Sequence, residues 1–136
     1  MDYSVSLLNS AADCDAISKL LDKEKDDLEF RKLQVGRQRK NYQANTVEIS
    51  AELQAVTSEL AGLETIIAGL PDGDLKDENT KKKKKAELRL YLLQDKQGDY
   101  GAVALIEREV EYAMAEQQLD VVMAALAEVA TRKAAL

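Results

Sequence analysis

Ten cationic side chains in two short stretches are the residues of this chain with the most chemistry to offer. Lys81, Lys82, Lys83, Lys84 and Lys85 are consecutive. Such a run could contact phosphate backbones or anionic headgroups. On a helix it spreads over every face, so at least one lysine falls near a packing seam and extends outward along its stem. Residues 31–40 carry Arg31, Lys32, Arg37, Arg39 and Lys40 without an acid, interleaved with Gln34 and Gln38. The opposing consideration is a net charge of −6, which argues against a dedicated nucleic-acid binder.

Other chemistry lacks its residues. The chain has no His, and therefore lacks the commonest general acid/base and the commonest metal ligand. The six Gly are scattered singly and form no phosphate-binding loop. Cys14 is the only cysteine, so it can form no disulfide within the chain and no cysteine cluster around a metal. Flanked by Asp13 and Asp15 and not by cations, it lacks the basic surroundings of a reactive thiol and reads as a small packing residue. The carboxylates lie among lysines and do not converge. These residues predict a protein that is not an enzyme, with no cofactor, metal or small-molecule substrate.

The elements that position these groups are helices. Charged residues make up 32% of the chain, aromatics only 4%, and one Pro and six Gly leave little material for tight turns between strands. Leu21, Leu28, Val35, Tyr42, Ile49, Val56, Leu63 and Leu70 recur every seven residues. From Ile49 onward, Leu53, Leu60 and Ile67 add a second seam, giving an a/d heptad pattern. Over residues 21–45 that second seam is polar (Glu24, Arg31, Gln38, Asn45), with Leu20, Phe30 and Leu33 supplementing the apolar stripe. Ser10 followed by Asp13 reads as a helix start. Gly69, Leu70, Pro71, Asp72, Gly73 and Asp74 form the strongest stop.

The expected fold is all-α: a long antiparallel, coiled-coil-like helical hairpin within a single domain, 1–136. It comprises an N-terminal segment 1–12, a first arm 13–69, a turn 70–74, and a second arm 75–97 and 100–136. A joint is expected near residues 42–46 and 98–101, with Gly98 ending one helix, Asp99 capping the next, and Asn45 with Glu48 as a cap on the other arm. Four shorter helices, packing as a four-helix bundle, are the alternative. A turn centred near residue 72 pairs residue i with about 144 − i. That register places Glu52, Glu59 and Glu64 opposite the lysine run, Arg89 and Lys96. It also sets residues 31–40 opposite Glu107, Glu109 and Glu111.

The second arm carries two neighbouring apolar stripes. Val103, Ile106, Val110 and Ala113 form one; Leu105, Tyr112, Leu119 and Leu126 form the other, widened by Val122 and Val129. One partner helix cannot cover both. Leu105, Tyr112, Leu119, Val122, Leu126 and Val129 are therefore the expected partner-binding residues. The expected function is structural or adaptor, joining a protein partner or a second copy through helical faces. Without an 18-residue apolar run or a basic, apolar leader, a cytoplasmic protein with no membrane partner is expected.

The two-armed design resembles the helical tentacles of prefoldin-type chaperones, with a four-to-six-residue turn where those place β-hairpins. That resemblance implies a clamp holding clients at the arm tips. Spectrin-type repeats offer a second comparison, although these breakers do not divide the chain into three even helices. The alternative from another class is nucleic-acid association through residues 81–85 and 31–40.

Overall fold

The computed structural model describes all residues, 1–136. It is about nine-tenths helical, without strands. A short 3-10 turn at Val5–Leu7 precedes three helices: α1 (Ala11–Ala68), α2 (Asp74–Tyr100) and α3 (Ala102–Ala135). No helix is long and apolar enough to cross a membrane. The chain divides into two compact units, one of Met1–Arg39 with Arg108–Leu136 and the other of Lys40–Glu107.

In the unit Lys40–Glu107, residues 69–73 join α1 to α2. The first helix closes with tight bonds from the Gly69 and Leu70 amides to the Ile66 and Ile67 carbonyls. Pro71 then prevents its continuation. Gly73 sits at a φ of 154°, which a side chain would resist, and its carbonyl accepts from the Asp77 amide to start α2. The interior is a single seam of Ile49, Val56 and Leu63 from α1 against Ala86 and Leu93 from α2. Glu64 pairs with Lys83 at 3.8 Å and Glu59 with Arg89 at 3.3 Å. The paired numbers sum to about 148 where 144 was expected. A shift of four residues is close to one helical turn, so the same faces still meet.

The anticipated joint lies on one helix only. α1 runs unbroken through residues 42–46, and Asn45 caps nothing. Thr46 Oγ1 lies 2.7 Å from the Tyr42 carbonyl, the i−4 contact that lets a hydroxyl bend a helix without ending it. On the other side, α2 continues through Gly98 and Asp99 and stops at Tyr100. The break is Gly101, where an added Cβ would overlap the Gln97 carbonyl oxygen. Thr46 Oγ1 is also 2.6 Å from the Tyr100 carbonyl, so one hydroxyl serves either of two acceptors at the break. The Tyr42 and Tyr100 rings pack beside it, centroids 5.2 Å apart and tilted by 50°.

Gly101→Ala is therefore expected to cost about 1–3 kcal/mol, as overpacking does. Gly98→Ala meets nothing within 4 Å, and should gain up to about 1 kcal/mol of helix propensity. Thermal melts followed by circular dichroism would read both, and equal shifts of the same sign would refute this account of the break.

In the other unit, Leu28 of α1 and Leu119 and Val122 of α3 form the core cluster, with Leu21 and Leu126 against it. Cys14 and Val35 are buried on α1, Ala115 and Val129 on α3. Ser10 Oγ accepts from the Asp13 amide at 3.2 Å, so α1 starts where the sequence placed its cap. Leu20, Phe30 and Leu33, read as supplements to the stripe, are exposed. They lie off the seven-residue seam and have no opposing helix face.

Candidate interaction surfaces

The six residues expected to bind a partner have mostly found one within the chain. Leu119, Val122 and Val129 are buried, and Leu126 is half-buried against the same cluster. They face the α1 side of this helix pair and not solvent. Leu105, in the unit Lys40–Glu107, is also half-buried.

Tyr112 is held by α1. Its ring comes within 3.2 Å of where a Cβ on Gly36 would stand, so the missing side chain makes room for the ring. The Arg39 guanidinium lies 4.4 Å from the ring centroid and the Lys32 ammonium 5.7 Å. Each cation is attracted to the negative face of the ring, by about 0.5–1 kcal/mol at such half-exposed sites. Arg108 pairs with Glu111 on its own helix at 3.0 Å. The pairing expected between residues 31–40 and Glu107, Glu109 and Glu111 does not form. Tyr112 takes up two of those cations, and Glu111 is satisfied locally.

The other stripe, Val103, Ile106, Val110 and Ala113, is the open one, and Met114 and Val121, which the expected stripe did not include, extend its face. On α3, Val110, Met114 and Val121 are 52%, 54% and 56% exposed. They lie on a face turned away from Leu119 and Val122 at 100° per residue. Within the unit Lys40–Glu107, Val103 is 85% and Ile106 57% exposed. The sequence showed two stripes side by side on α3. Which one faced inward depended on its fit to the seven-residue seam of α1, and Leu119, Val122, Leu126 and Val129 provide that fit.

The N-terminal segment covers one end of the helix pair. Arg132 Nε donates to the Leu8 carbonyl at 3.0 Å, and Lys133 pairs with Asp15. That bond and the Asp15 charge raise the Lys133 pKa above its ordinary value. The ammonium side of the pair therefore stays charged through neutral pH and is lost as pH rises through the raised value. Two clefts flank the segment. One, of about 270 Å³, is lined by Tyr3, Val5, Leu8, Ile17, Leu21 and Val129. The other, of about 680 Å³, opens between Tyr3 and Arg132. Neither gathers titratable groups in a catalytic arrangement.

Of the lysine run, Lys83 alone is engaged, between Glu64 and Glu87 at 3.8 and 3.9 Å. Lys81, Lys82, Lys84 and Lys85 are exposed and form no ion pair. No family model matches the chain, and neither the curated proteins nor the solved structures contain a match.

Proposed function

We propose that this chain is a non-catalytic structural or adaptor protein, made of coiled-coil-like helical hairpin pairings, that assembles with protein partners through its outer helical faces. The supporting observation is apolar surface left open after folding. Only Val56 and Cys14 are fully enclosed among the larger side chains, while Val110, Met114 and Val121 lie in solvent. Val110 and Met114 stand one turn apart on this face, and exposed apolar side chains grouped in this way mark contact surfaces.

The test is sedimentation velocity on the full chain beside a V110E/M114E/V121E variant. All three positions are exposed, so the variant should retain its helical circular dichroism. The reading expects wild type to sediment as an assembly at micromolar concentration, and the variant to form smaller assemblies than wild type at the same concentration, having lost the contacts of the α3 face. Identical monomers in both samples would refute it.

A further inference from the structure

The outer face of α2 carries a pattern that the inner seam does not use. Its seam residues are Lys83, Ala86, Leu90 and Leu93, all buried or half-buried. Turned away from them, Lys81, Lys85, Leu88, Leu92, Asp95 and Asp99 are separated by four, three, four, three and four residues, and every one is exposed. That spacing is a second heptad seam. Leu88 is 60% and Leu92 55% exposed, flanked by Tyr91 at 66%. None of the four charged residues takes part in an ion pair, although Lys83 and Arg89 on the same helix do.

The order of charge along this stripe names its partner. Lysines stand at one end, leucines in the middle and aspartates at the other. We infer that α2 pairs with α2 of a second copy of this chain, antiparallel, about a two-fold axis near residue 90. In that arrangement residue i meets residue 180 − i of the second copy. Lys81 then faces the partner's Asp99, Lys85 the partner's Asp95, and Leu88 the partner's Leu92. By two-fold symmetry each pairing occurs twice, as an isologous contact requires. The spacing also puts every a position against a d position, which is the rule for antiparallel coiled coils. A parallel pair would set lysine against lysine and aspartate against aspartate, and is excluded by the same charges. The contact from Lys81 to Asp99 is about 28 Å long at 1.5 Å per residue. Leu88, Leu92 and Tyr91 supply the burial, and the charges fix direction and register.

This inference rests on the assembly reading, and charge reversal separates the two. K81E/K85E places acids opposite Asp95 and Asp99 of the second copy; D95K/D99K places lysines opposite Lys81 and Lys85. Each variant alone should dimerise at least about tenfold more weakly than wild type, since every charged pair along the stripe becomes like-charged while the leucine pairs are kept. Mixed together, the two variants oppose unlike charges at all four positions. The mixture should form a one-to-one dimer more tightly than either variant alone, read by sedimentation equilibrium. L88E/L92E should abolish the dimer in every combination. Because all six positions are exposed, unchanged circular dichroism would certify folding.

If wild type assembles while the mixture gains nothing over its components, the α2 pairing is wrong and the assembly reading stands. If wild type and mixture are both monomeric, both fail. If D95K/D99K dimerises like wild type, while short duplex DNA binds wild type and not K81E/K85E, the lysines serve a polyanion instead and the inference is overturned.

Discussion

Val56→Asp is expected to remove most of the stability of the unit Lys40–Glu107. Val56 is fully buried, midway along a seam only one layer deep, between Ile49 and Leu63 on the same helix. A carboxylate there would enter a seam whose buried members, Ile49, Leu63, Ala86 and Leu93, are all apolar. An uncompensated buried charge costs about 3–5 kcal/mol. That is a large share of the 5–15 kcal/mol that holds a typical domain. Val47→Asp, one of the most exposed apolar positions on α1 at 72%, is the control. It should stay within about 0.5 kcal/mol of wild type. Chemical denaturation would measure both, and hydrogen exchange should show lost amide protection over residues 40–107 in Val56→Asp. Equal stability of the two variants would mean that the seam is not what holds this unit.

Leu119→Ala is the second large effect. Leu119 completes the cluster with Leu28 and Val122, and Leu21 and Leu126 lean on it. Truncation removes buried methyl groups and leaves a cavity that two stiff helices collapse around poorly. The expected cost is about 2–4 kcal/mol. A mutation at an exposed binding surface would spare folding and weaken assembly; this one should weaken folding first. Val121→Ala, two residues along at 56% exposure, should do the opposite. Thermal melts and sedimentation of the same two proteins decide between these roles. If Leu119→Ala left the melting temperature unchanged while assembly fell, Leu119 would be a contact residue after all.

Much of the fold can be read from the seven-residue repeat. Every member of the series from Leu21 to Leu70 is buried or half-buried. The reason is that a heptad encodes its own inward face whatever partner it meets. The Ser10 cap and the Pro71 turn were legible because each rests on chemistry local to a few residues. The Gly101 break was displaced by three residues from the expected Gly98, since both are glycines before a helical run. The structure chooses between them by contact: Gly98 has open space around it, and Gly101 lies against Gln97. The salt bridges of residues 31–40 were misread for a different reason. Net charge cannot reveal that a ring such as Tyr112 will compete for Arg39 and Lys32, a contact that depends on Gly36 leaving room.

The candidate surface was the least legible part, because α3 offers two apolar stripes and only one can face α1. The choice is settled in three dimensions by Leu28 meeting Leu119 and Val122. The outer stripe of α2 was legible in principle, as its four-three alternation is plain in the sequence. It was obscured by the five-lysine run, which draws attention to charge in bulk when only Lys81 and Lys85 share a face with Leu88 and Leu92.

The central claim is that this chain associates through helical faces left open by its own fold. Multi-angle light scattering across a micromolar concentration series, on the full chain in moderate salt, tests it most directly. The account predicts a mass above 15.0 kDa that rises with concentration toward at least twice that value. A mass fixed at 15.0 kDa throughout the series would contradict it.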